Sequence, residues 1–144
     1  MANDFQRDTS EILKELENCS DFKSFYHENK EYLVTAGLAT MLNDLADSKG
    51  LKRSQIFKQA ELSENYGYQI FSGIRVPERN KVLMLAFGMG LNLDETQKLL
   101  KCADYQTLYV KLPFDSIIVY GLCKGLSVME VNELLYEYGQ NTLA

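Results

Sequence analysis

Seven of the fifteen Lys and Arg residues fall between Ser48 and Lys81: Lys49, Lys52, Arg53, Lys58, Arg75, Arg79 and Lys81. Three carboxylates, Glu61, Glu64 and Glu78, share that stretch, so it is net +4 in a chain whose total is −5, and the remainder carries −9. Cations interleaved with amides and tyrosines suit one kind of chemistry. Lys and Arg neutralise phosphates and supply affinity, while side chains that reach base edges supply specificity. Lys52, Arg53, Arg75, Arg79 and Lys81 are the phosphate candidates. Asn65 and Gln69 have the paired donor and acceptor that adenine complements in a major groove. Tyr66 and Tyr68 can reach a phosphate or a thymine methyl, with one of the two expected to serve the core. Glu64 repels phosphate and fits only where it accepts from a cytosine amino group. Arg75 and Arg79 also have a plainer use, pairing with Glu78 or neighbouring carboxylates on a solvated face.

Other chemistries find little material. The sequence has no GxSxG, P-loop or HExxH pattern and no Cys-His arrangement of recognisable spacing, so no enzyme and no cofactor are expected. His27 has no second ligand at metal spacing and reads as a surface or boundary histidine. Cys19, Cys102 and Cys123 are far apart, without a CxxC pair, which fits a reduced cytoplasmic protein without structural zinc. Cys102 and Cys123 lie among apolar residues and are expected to be buried. Glu130, Glu133 and Glu137 are spaced as a solvated helical ridge. No apolar run approaches the ~20 residues needed to cross a bilayer.

The elements that must position these residues read as helices throughout, because apolar residues recur at helical spacing and no stretch alternates as a strand does. Thr9-Ser10 and Ser20-Asp21 cap two short amphipathic segments. A longer helix runs from Thr35, with Leu38, Met41, Leu42 and Leu45 in one stripe, and stops at Lys49-Gly50. Two short helices follow, residues 54–60 and 64–71, separated by Glu61-Leu62-Ser63 and ended by Gly73. Pro77 is placed to open the next helix, with Val82, Leu83, Leu85, Ala86 and Met89 inside. Asp94 is placed to cap another, carrying Leu99, Leu100 and Ala103. Pro113 opens a helix with Phe114, Ile117, Ile118, Tyr120 and Leu122 that stops at Gly125. Ser127 and Glu130 form a capping box for the last, with Val131, Leu134, Leu135 and Tyr138.

The stretch Leu51 to Leu93 resembles the lambda-repressor-like, or XRE, helix-turn-helix family. Ser54-Gln55 stand where the family opens its second helix, Ser63 where the recognition helix is capped, and Gly73, Arg75 and Pro77 match the residues that follow it. Ile70-Phe71 replace the family's common Trp-Glu. The string Tyr66 to Arg79, then Asp94-Glu95-Thr96, Leu99-Leu100, Leu108-Tyr109, Asp115-x-Ile117-Ile118 and Asn132-x-x-Leu135, is similar to an atypical small bacterial branch, in which a basic residue is expected where Phe114 stands. The resemblance implies an all-α protein with a five-helix core (residues 31–103), an N-terminal helical extension (1–30) and a C-terminal helical hairpin (104–144). It implies a transcriptional regulator that inserts the 63–72 helix into the major groove of double-stranded DNA. Ser54, Gln55 and the Arg75 to Lys81 segment would clamp phosphates, and two copies would bind a two-fold site.

The acidic total argues the other way, since nucleic-acid partners select for basic surface. The alternative is an interaction module on the same fold that binds a signalling or phage protein through acidic and aromatic surface. Tyr109, Phe114, Tyr120, Tyr136 and Tyr138 place that surface, or a homodimer contact, on the C-terminal hairpin, although the same rings can also close the core. A membrane partner is not expected.

Overall fold

The computed structural model describes residues 9–29 and 34–144, and among these the secondary structure is entirely helical. The boundary drawn between residues 30 and 31 lies outside the described residues. In chain order the helices are α1 (Thr9–Asn18), α2 (Phe22–Asn29), α3 (Val34–Ser48), α4 (Arg53–Ala60), α5 (Glu64–Phe71), α6 (Arg79–Gly88), α7 (Leu93–Cys102), α8 (Pro113–Lys124) and α9 (Val128–Glu137). None is long and apolar enough to cross a membrane.

The core forms around α6, where five successive residues, Val82 to Ala86, are buried. A helix buried on all sides has no amphipathic stripe, and α6 accordingly packs against α4, α7 and α9. Leu38, Leu42 and Ala46 of α3 bring it against α5 and α7, and α8 lies between α7 and α9. α1 and α2 pack on each other, with Asn29 buried and donating to Glu15 and to the Phe25 carbonyl.

The helix ends are set by local chemistry. Ser127 and Glu130 close a reciprocal capping box on α9, and Gly125, at φ 67°, ends α8 as expected. Asp21 accepts from the Ser24 N–H at 2.8 Å, which holds its carboxyl below the usual range. Three helix starts lie two residues from where the sequence reading puts them. Thr9 and Ser10 lie inside α1 rather than before it. Asn92, not Asp94, caps α7, because Glu95 stands three residues after Asn92 and bonds back to its N–H. Pro77 is buried two residues ahead of α6, its carbonyl taken by the Tyr105 hydroxyl at 2.7 Å, and Glu78 is the N-cap.

Two side-chain amides hold irregular segments. Gln97 both donates to the Leu108 carbonyl and accepts from its N–H, and Asn132 does the same for Leu143.

Candidate nucleic-acid interface

The surface bearing most of the singled-out residues is built by α4 and α5, whose placement depends on a ring and a missing side chain. Phe57 of α4 is fully buried, edge-on to Tyr68 and Phe71 of α5 at centroid distances of 4.9 and 5.3 Å. A Cβ at Gly67 would lie 2.4 Å from Phe57 Cδ1, so glycine is what lets α5 approach this closely. Between the helices, Glu61 adopts the left-handed conformation at φ 60°, and the Leu62 N–H bonds back to the Phe57 carbonyl. Ser63 then caps α5, accepting from the Tyr66 N–H at 3.2 Å.

Gly67, Ile70 and Phe71 face inward, which leaves Glu64, Asn65 and Tyr68 exposed. Ser54 and Gln55 are exposed on the first turn of α4, and no side chain caps that helix. Of the tyrosines, Tyr66 is the half-buried one that packs on the core. Burial pushes its phenol up, opposed by the Arg75 guanidinium 5.5 Å from its ring centroid, so it is a neutral hydroxyl near pH 7. Gln69 is half-buried and its Oε1 accepts from the Arg75 Nε–H at 2.8 Å. Ser63, Tyr66, Arg75, Glu78 and Lys81 line one groove beside α5.

Arg53 and Arg79, both counted as phosphate candidates, are engaged by the fold. Arg53 donates to Asp47 at 2.8 Å and to Asn43 at 2.7 Å, and lies 5.8 Å from the Phe71 ring centroid. Asn43 in turn donates to the Phe71 carbonyl, which ties α3 to the end of α5. Arg79 donates to both carboxylate oxygens of Asp115, at 3.4 and 3.2 Å, and to the carbonyls of Gln106 and Thr107. Asp115 is 4 % exposed and also accepts from the Tyr109 N–H, so the pair pins the start of α6 to the start of α8. Of the plainer pairings expected, Arg79 has its carboxylate in Asp115, not Glu78, and Arg75 has none among the described residues.

This changes the charge of the face. Lys49, Arg53 and Arg79 are paired with Glu95, Asp47 and Asp115, all outside the Ser48 to Lys81 stretch. Lys52, Lys58, Arg75 and Lys81 have no carboxylate partner among the described residues, and Glu61, Glu64 and Glu78 have no cation, leaving +1 on this surface. Lys58, outside the initial candidate set, lies beside Ser54, Gln55 and Glu64 and joins the face. Two further residues were missed: Ile74 and Val76, exposed on either side of Arg75. Their alternation with Arg75 just after a helix stop was the available signal.

Elsewhere, Cys123 is exposed, contrary to expectation, because Ile118, Gly121 and Leu122 form the inward side of α8. Cys102 is half-buried, and burial raises its thiol, which disfavours the reactive thiolate. Among the described residues, no group of three His, Cys, Asp or Glu side chains is arranged to hold a metal ion. On the hairpin, Tyr109, Tyr120, Tyr136 and Tyr138 are exposed, whereas Phe114 packs on the core. No family model, curated protein or solved structure matches the chain.

Proposed function

We propose that the chain is a sequence-specific DNA-binding transcriptional regulator in which α5 enters the major groove of double-stranded DNA. One observation carries the reading: the polar side of α5, with Glu64, Asn65 and Tyr68, is left bare by the rest of the fold, and Lys52, Lys58, Arg75 and Lys81 around it are unpaired among the described residues. In this reading α3 to α7 form a five-helix lambda-repressor-like core, α1 and α2 an N-terminal extension, and α8 and α9 a C-terminal hairpin. Asn65, Tyr68 and Gln69 address bases, as does Glu64 where a cytosine amino group meets it. Ser54, Gln55, Ser63 and the four unpaired cations meet the backbone, with Tyr66 beneath Arg75. Arg53 and Arg79 hold the frame. A homodimer would set two such helices about one turn apart on a two-fold site.

Selection from a random duplex pool, followed by fluorescence anisotropy over a salt series, tests this. Four phosphate-neutralising cations predict a log-log slope of about −3.6 per protomer. Binding that ignores salt, or no selected sequence at all, would sink the reading.

A second reading is favoured by α9 and its cap, where Tyr136, Tyr138 and Met129 are 81, 65 and 62 % exposed among Glu130, Glu133 and Glu137. An acidic and aromatic surface of this kind suits a basic protein partner. Loss of an isolated partner on Tyr136→Ala, with DNA binding intact, would assign the two surfaces separately.

A further inference from the structure

Gln69 and Arg75 are joined at two levels. The Ile74 and Arg75 backbone N–H groups both donate to the Gln69 carbonyl, at 2.9 and 3.1 Å, and the Arg75 Nε–H donates to Gln69 Oε1 at 2.8 Å. Gly73, at φ 82°, makes the reversal that brings the loop back against α5, and the guanidinium rests near the Tyr66 ring. A guanidinium carries donors only, so the end of the Gln69 amide that meets it must be the oxygen. The Nε2 amino group then points away. It has no partner among the described residues, and since no buried side-chain nitrogen or oxygen there lacks a hydrogen bond, it opens to solvent.

A glutamine without such a partner can turn its amide over and offer its donor to guanine or thymine acceptors as well as to adenine. At Gln69 that inversion would set the amide N–H groups against the Arg75 N–H groups. The carbonyl oxygen retains a second lone pair beside the free amino group, and an acceptor next to a donor is the pattern that adenine N6 and N7 complement. The loop arginine also keeps its two terminal nitrogens for a phosphate.

We propose, resting on the DNA-binding reading above, that Arg75 is a specificity-determining positioning residue. It locks the Gln69 amide so that Gln69 selects adenine at one base pair, and it couples that choice to a backbone contact.

The intact chain tests this. Sequences selected by the wild type and by Gln69→Ala locate the base pair, as the one whose preference disappears. At that pair the wild type is expected to prefer adenine by roughly tenfold or more. Arg75→Lys keeps the charge but loses the planar Nε–H group. It is expected to cut that preference at least fivefold, over and above the loss of affinity that it causes equally on every duplex. In a Gln69→Ala background the same change is expected to cost nothing further at that pair. A fall in affinity that is equal for every duplex, with the adenine preference intact, makes Arg75 a phosphate contact only and overturns the proposal. So does a wild-type preference for guanine or thymine there. If the wild type selects no sequence, the DNA-binding reading falls and this proposal with it. Circular dichroism of Arg75→Lys, expected to match the wild type, shows that the fold is retained.

Discussion

At the junction of α6 and α8, every nitrogen of the Arg79 guanidinium is occupied by Asp115 or by the carbonyls of Gln106 and Thr107. On the α4–α5 face, four residues earlier in the chain, Arg75 meets an amide oxygen and a tyrosine ring and pairs with no carboxylate among the described residues. Residue type and sequence distance do not separate these arginines. The partner does: Asp115 is buried, and a buried carboxylate without its cation is costly, so Arg79 belongs to the fold. Arg75 is itself exposed, leans on the half-buried Gln69 and Tyr66, neither of them charged, and stays available to something outside.

Exchange of each arginine for alanine breaks this contrast most directly. Arg79→Ala leaves Asp115 buried with only the Tyr109 N–H, and about 3 kcal/mol of stability is expected to go, roughly 10 °C in thermal unfolding. Arg75→Ala is expected to stay within about 0.5 kcal/mol of the wild type. Equal shifts for the two would erase the distinction. Next in size is Gly67→Ala, which forces a methyl group into the Phe57 ring; overpacking of this kind costs about 1–3 kcal/mol and is read from the urea midpoint. It is expected to disturb the α5 face while the Arg79 junction holds.

A smaller effect comes from Glu95, which pairs with Lys49 on the committed side. The Asn92 N–H, then Lys49, hold its carboxyl below the ordinary value, burial opposing. Its contribution is therefore present above the unfolded pKa of about 4.3 and is lost as pH falls through the lowered folded value. The stability gap between wild type and Glu95→Gln is expected to be open at pH 7 and to close in strong acid; a gap independent of pH would remove Glu95 from the committed set. The smallest change in stability is expected from Lys52→Gln with Lys58→Gln, within about 0.5 kcal/mol. The same pair is expected to flatten the salt slope of DNA binding by about 1.8. Destabilisation without that flattening would move both lysines from the face to the fold.

Much of the helical layout is legible where one signal acts locally. Ser63, Pro113, Gly125 and the Ser127–Glu130 box stand at the ends they mark. Asp94 misled because two Asx residues compete within three positions, and only the Asn92-x-x-Glu95 spacing closes a box. Pro77 suits the first turn of a helix, yet Tyr105, distant in sequence, claims its carbonyl. The site was harder to read for one reason. Charge counted along the chain gives +4, but charge counted in space gives +1, because the carboxylates that pair with Arg53, Lys49 and Arg79 come from elsewhere. No local pattern announces a bond across thirty-six residues, such as Arg79 to Asp115. Gly67, by contrast, stands in plain view, but its meaning depends on Phe57 crossing above it.

The amide pairs Gln97–Leu108 and Asn132–Leu143 have a dynamic consequence. Leu108 and Leu143 lie outside any helix, where a backbone N–H ordinarily exchanges with solvent as fast as its loop opens. Each instead gives its proton to one side-chain oxygen, at 2.8 and 2.7 Å, on a residue anchored in a helix. Both amides are therefore expected to exchange more slowly than the loop residues beside them, two irregular segments borrowing protection from the helices that hold them.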